Sequence, residues 1–297
     1  MTASTRRERA LDLAMLVPVI GLLVAFLFYP LVYGLDLSLS RTDGFEVTGT
    51  VGLEHYARAL FGDAVFHQGL ANTLVFTAAA VVLQTGAGLL LAVLVSEVRR
   101  GRTLFVAAFL APFVLAPVAA GMVWKFMDAP FFGIVPSIGG VLGLDLSAVA
   151  PLGDPNTALW AIVVAFVWRF AGFSMVVYLA AMRSLPREYY EHAELEGIGR
   201  LARLRRITWP LLWPQTFALV LLTTIGTLRV FDLVWVMTAG GPDHATETVA
   251  THIYTTAFRS LDPGYAQAMA TILMVVIVAL VVIEYRLLDR RAEAVTA

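Results

Sequence analysis

Few residues in this 297-residue chain could do covalent chemistry. There is no cysteine, which removes disulfides, thiolate metal sites and thiol nucleophiles and leaves the redox compartment unreadable. The single lysine, Lys125, follows Val123 and Trp124, with no glycine directly before it and no Ser or Thr after it. A nucleotide-cradling P-loop needs both, so ATP hydrolysis is not expected here. The five histidines, His55, His67, His192, His244 and His252, show no metal-ligand pairing, and no serine-nucleophile motif accompanies them. What remains is binding chemistry. Arg169, Arg229 and Asp232 fall inside long apolar runs, where an ionisable group is costly and points to a site or to a paired partner. Trp168, Phe173, Phe231 and Trp235 stand close to them in sequence. Aromatic faces suit sugar rings, and a guanidinium suits a phosphate in bidentate fashion.

The elements that must position these groups are membrane helices. Hydrophobic residues make up 59% of the chain and charged ones 14%, more apolar than a soluble fold of this size can hide. Runs long enough to cross about 30 Å of hydrocarbon recur along it. We place spans at about 11–33, 73–95, 104–126, 159–181, 212–236 and 268–288. Pro18, Pro30, Pro112 and Pro117 interrupt them, which is tolerated where neighbours satisfy the freed backbone. The apolar stretch from Ile134 to Val149 is short and broken by Pro136, Gly139, Gly140 and Gly143, and reads as a re-entrant or interfacial segment. Counting about 1.5 Å per residue, Arg169 lies about 18 Å from the inner end of the fourth span and Arg229 about 25 Å from that of the fifth. Asp232, three residues beyond Arg229, is placed to pair with it on one helix face, or with Arg169 if the two helices adjoin. A structural ion pair and a lining of the translocation path both remain open.

Arginine placement tests the span count, because cytoplasmic loops collect basic residues. Arg6, Arg7 and Arg9, then Arg99, Arg100 and Arg102, then Arg183, Arg187, Arg200, Arg203, Arg205 and Arg206, and finally Arg286, Arg290 and Arg291 fall on one side. The alternate loops carry only Arg41, Arg58 and Arg259. The reading is an all-α polytopic membrane protein with six transmembrane helices and both termini cytoplasmic. Residues 1–10 and 289–297 are the cytoplasmic ends, and 11–288 the transmembrane domain with a cytoplasmic loop at 184–210. The first apolar run is too long for a signal peptide and lacks a small-residue cleavage pattern after it.

That loop, SLPREYYEHAELEGIGRLARLRRITWPLLWP, reads as two helices. Ser184 is expected to cap the first, with Pro186 in its opening turn and Glu188 and Glu191 near its positive end. Gly197 permits a turn. The second helix is expected to present Leu201, Leu204 and Ile207 on one side before Pro210 and Pro214 lead into the membrane. On pattern alone the pair is equally an interfacial connector.

The spacing of Glu191, His192, Ala193 and Gly197, followed by Ile207 and Pro210, resembles the EAA motif of ABC importer permeases. His192 and Trp209 depart from it, standing where the motif has alanine and leucine. FYPLVYGLDLSLS from Phe28 and VGLEHYARAL from Val51 resemble the end of the first span and the segment after it in sugar permeases. RVFDLVWVMTAGGPDHATETVATHIYTTAF from Arg229 is similar to the fifth-span exit and outer loop of maltose-, lactose- and glycerol-3-phosphate-type permeases, the first member of each pair.

The resemblance implies a type I importer permease core in a bacterial plasma membrane. It implies a second, different permease, an ATPase dimer that carries ATP and Mg, and an extracytoplasmic substrate-binding protein. It gives Glu191, Ala193, Gly197, Ile207 and Pro210 the role of docking on the ATPase. No cofactor is expected on this chain, and no nucleic acid as partner. The competing reading is an ion-coupled secondary transporter with Asp232 as the intramembrane carboxylate.

Overall fold

The computed structural model describes residues 16–130, 133–134, 137–138, 141, 150–186 and 188–296. Residues 1–15 with Arg6, Arg7 and Arg9, most of the stretch from Ile134 to Val149, and Arg187 lie outside the described residues. The described chain forms two compact units, residues up to 63 with 253–272, and residues 64–252 with those from 273 onward.

In the first unit, helix α1 (Leu16–Ser38) carries a π-turn at Val24–Phe28, and none of its most apolar stretch is buried. An uncovered apolar helix of 23 residues matches a lipid-facing span. It runs into an antiparallel hairpin, β1 (Ser40–Asp43) and β2 (Glu46–Thr50), joined by Gly44 and Phe45. These are the only strands among the described residues, a local addition to the helical plan. Helix α2 (Glu54–Phe61) follows and is tied back by a 2.6 Å hydrogen bond between Tyr56 Oη and Ser38 Oγ. Arg58 pairs with Asp262 at 3.3 Å and lays its guanidinium 3.9 Å over the Tyr265 ring, whose hydroxyl donates to Asp63 at 2.6 Å.

The second unit is built on α3 (Ala64–Glu97), α4 (Arg102–Val114), α5 (Pro117–Met127) and α6 (Ala158–Ser184). The cytoplasmic loop forms α7 (Glu188–Leu195) and α8 (Arg200–Leu211). Helices α9 (Trp213–Leu228), α10 (Asp232–Met237) and α11 (Val249–Tyr254) follow. The last helix, α12 (Pro263–Thr296), starts in the first unit and continues into the second. Helix α6 is the most buried. Its Phe166 meets Phe76 of α3 edge-on at 5.4 Å, Ser174 Oγ accepts from Gln84 Nε2 at 2.9 Å, and the Tyr178 hydroxyl donates to Thr216 Oγ1 at 3.0 Å. One apolar cluster joins α3 and α6 to α10 through Ile162, Val163 and Val234, and another joins α3 and α6 to α9 through Ala92, Met175 and Leu219.

Among the described residues four helices are long and apolar enough to cross a membrane by themselves, and six spans result when each of two bent pairs counts as one. The third and fifth expected spans are therefore not continuous helices. The third bends by 99° between α4 and α5. Ala116 precedes Pro117, whose ring disfavours helical geometry in the residue before it, and Leu115 and Ala116 are both extended, with ψ of 139° and 141°. Pro117 then opens α5, where its missing N–H costs nothing. The fifth span enters through a 69° bend at Leu212 and stops again at Arg229–Phe231 before α10 resumes.

Candidate functional site

Two regions carry the chemistry, and the cytoplasmic loop is the first. Helix α7 ends in a Schellman turn. The Ile198 N–H donates to the Ala193 carbonyl at 2.9 Å and the Gly197 N–H to the Glu194 carbonyl at 3.1 Å, with Gly197 at φ +69°. That left-handed backbone is the reason for glycine at this position. Arg203 then returns across the turn, pairing with Glu194 at 2.9 Å with its guanidinium 5.7 Å from the Tyr190 ring. Tyr190 and Thr208 share a hydrogen bond of 3.3 Å, and Arg200 reaches Glu97 at the end of α3 at 2.9 Å. Ala193 is buried, Ile207 and Pro210 are half-buried, and Glu191 and Gly197 are exposed. The apolar residues flanking the turn face outward, Leu195 at 85% and Leu201 at 79% exposure.

One expectation for the loop needs correction. Ser184 does not cap α7, because α6 runs through Ser184 and its hydroxyl donates back to the Ala181 carbonyl at 2.8 Å. A π-turn runs over Leu204–Thr208; Leu201 and Leu204 line one cavity, with Leu201 exposed and Leu204 and Ile207 half-buried.

The second region is a cavity of about 200 Å³ at membrane depth, lined by Pro117, Phe170, Arg169, Arg229, Phe231 and Asp232 among others. The three charged groups therefore share one cavity, and both helix breaks open onto it. They do not form a close ion pair, although Asp232 exerts an electrostatic attraction on the Arg169 guanidinium. Helix α9 ends at Leu228, and Phe231, at φ −129° and ψ −62°, is outside helical geometry, so Arg229 and Asp232 do not share a helix face. No ion pair among the described residues joins Asp232 to either arginine. Arg169 instead donates twice to the Leu115 carbonyl, from Nε at 3.2 Å and Nη2 at 3.0 Å. Arg229 and Asp232 are exposed at the cavity mouth.

The aromatic residues divide. Phe231 lines this cavity and stacks on Trp235 at 5.5 Å, while Phe173 stacks on Phe113 of α4 at 4.9 Å. Trp168 belongs to a separate apolar cavity of about 690 Å³ with Trp124, Phe109 and Leu91. The reason is the helix period: Phe166, Arg169, Phe170 and Phe173 follow one stripe of α6, and Trp168 lies off it.

A buried polar lattice holding the fifth-span break was not read from sequence. Thr248 Oγ1 donates to the Val230 carbonyl at 3.2 Å. Asn72 Nδ2 donates to the carbonyls of Glu247 at 2.9 Å and His244 at 3.1 Å, and the Val249 N–H donates to Thr73 Oγ1 at 3.1 Å. The buried Glu247 carboxylate accepts from Thr251 Oγ1 at 2.8 Å and meets His244 Nδ1 at 3.1 Å. The threonine-rich run TETVAT was the available signal, since hydroxyls spaced this closely can satisfy interrupted backbone.

The family profile of the binding-protein-dependent transport system inner membrane component matches residues 84–294. The probable ABC transporter permease protein YurN of Bacillus subtilis is 31% identical over 268 residues, covering 89% of this chain and 91% of its own length. The sn-glycerol-3-phosphate transport system permease protein UgpA of Agrobacterium fabrum is 30% identical over 96% of both chains. In three dimensions the chain is similar to a subunit of a bacterial ABC transporter involved in the import of the acidic polysaccharide alginate. The TM-score is 0.85 at 24% identity, over 97% of this chain and 98% of that one, and this likeness shows the fold.

Proposed function

The chain belongs to the binding-protein-dependent transport system inner membrane components, and from that premise we propose how it works as one half of an importer's translocation path. The imported solute is a carbohydrate or glycerol-phosphate-type compound. A second, homologous permease supplies the other half, a binding protein delivers the solute from outside, and a separate ATPase dimer carries ATP and Mg. The observation that supports coupling through the 184–210 loop is its tip. Leu195 and Leu201 are exposed beside the Gly197 turn, whose backbone is held by two hydrogen bonds. Exposed apolar side chains on a braced turn suit insertion into a cleft of a partner protein. Closure of the ATPase dimer would push this loop and its counterpart together and open the cavity outward.

In this reading Arg229, Asp232 and Phe231 line the path. Arg229 offers a guanidinium to an anionic group, Asp232 accepts hydroxyls, and Phe231 gives a face to a ring. Trp168 and Phe173 support α6 instead. A tagged chain purified in detergent with its native partners tests the coupling. Wild type should recover an ATPase and a second permease. Leu195→Asp and Gly197→Pro should lose the ATPase and keep the second permease. Full ATP-driven uptake by both variants would remove the loop from coupling. Arg229→Met should weaken uptake of a phosphorylated solute more than that of its neutral counterpart, and an equal effect on both would remove Arg229 from anion recognition.

A further inference from the structure

The third span is broken at a place where a helix would normally hide its backbone. Leu115, the residue after α4, has ψ 139°, so its carbonyl cannot accept from the residue four positions on. At membrane depth an unsatisfied carbonyl is strongly disfavoured, and a helix C-terminus also carries partial negative charge. Helix α6 meets both needs on one face. At Gly172 a Cβ would fall inside contact distance of the Phe109 carbonyl, so only glycine lets the two backbones approach there. One turn away, Arg169 uses that approach to set two N–H groups on the Leu115 carbonyl, with its Cζ 4.7 Å over the Phe170 ring. Phe170 and Phe173 pack Phe113 at 5.7 and 4.9 Å, which holds the last turn of α4 in place.

We propose that Arg169 is a positioning residue, an interhelical cap that holds the α4–α5 break shut and so fixes the wall of the cavity that Pro117 lines. Both of its hydrogen bonds go to the Leu115 carbonyl, with an added electrostatic attraction from Asp232 on the same cavity. Methionine at this position keeps the apolar stem and loses every donor. Glutamine keeps one amide nitrogen and restores part of the contact.

The chain has no cysteine, so a thiol at Ala120, a fully buried residue in the first turn of α5 after the break, reports how often the break opens. The assembled transporter carrying Ala120→Cys is treated with a small maleimide, and the rate of modification is read on the peptide of this chain. In the Arg169→Met background the rate should rise about 30-fold, the equivalent of two lost hydrogen bonds of about 1 kcal/mol each. Arg169→Gln should fall between parent and methionine, and Arg229→Met should leave the rate at the parent value. A parent-like rate in Arg169→Met overturns the proposal. An equal rise in Arg229→Met overturns it too, because loss of either cavity charge would then suffice. If Arg169→Met does not assemble, Arg169→Gln carries the comparison, and a parent-like rate there counts against the cap. The assay needs neither ATP nor uptake, so its outcome is separate from that of the transport experiments.

Discussion

Asp128 follows α5 with its side chain buried and Oδ2 without a hydrogen-bond partner among the described residues. Burial pushes its carboxyl from the usual 3.8 up to about 6. The folded chain therefore holds this proton more tightly than the unfolded chain, so the contribution to stability is full below about pH 4 and is lost as pH rises through 6. Asp128→Asn, which stays neutral, should raise the apparent melting temperature at pH 8 by about 2–4 °C, and the gain should vanish at the acid end. A gain that is the same at both ends would mean that charge burial is not the cause. Glu247 gives the opposite case, a buried carboxylate that is well supplied with donors. Glu247→Ala removes a shared acceptor from Thr251 and His244 and should destabilise the second unit by about 1–3 kcal/mol, read as faster proteolysis within 240–251. The same distinction separates the two arginines of the cavity. Sequence marked both as expensive, but which one is spoken for by a carbonyl depended on Leu115, 54 positions away from Arg169.

At the scale of elements, the chain depends on a few places where helices come unusually close or stop. Gly172 sets the approach of α6 to α4. Gly172→Val would drive a branched side chain into the Phe109 carbonyl, and membrane yield of the assembled transporter should fall sharply. Normal yield would show that α4 can move away without loss. Gly197→Ala tests the loop turn. A non-glycine residue at φ +69° costs about 1 kcal/mol. The ATPase should then bind this chain about five-fold more weakly, measured by titration against the purified membrane complex, and unchanged binding would show that the turn tolerates the strain. Helix periodicity made most elements legible, since apolar runs of membrane length are hard to mistake. It could not locate the breaks. Pro112 and Pro117 were visible, but whether proline bends a span or is absorbed depends on what satisfies the backbone around it. No proline marks the Arg229–Phe231 break, which Thr248 stabilises from the outer loop.

For the whole molecule, an importer subunit is one part of an assembly, and the exposed Leu195 and Leu201 fit that. Binding of a partner to the folded form alone raises stability with partner concentration. Added ATPase should therefore raise the melting temperature of the purified permease pair in a saturable way, and Leu195→Asp should abolish the rise. Family membership removes the ion-coupled transporter as a competing account and leaves Asp232 as a lining group. By itself the sequence determined the membrane class, the apolar runs that supply its spans and the importer-permease family. These rest on long apolar runs, on the segregation of arginines and on a local motif, and each is written in neighbouring residues. Only the tertiary structure decided which charges face the cavity, that Trp168 stands apart from it, and that Arg169 caps a broken helix. Those facts depend on contacts between residues tens of positions apart, where a single bend of 99° redirects everything that follows.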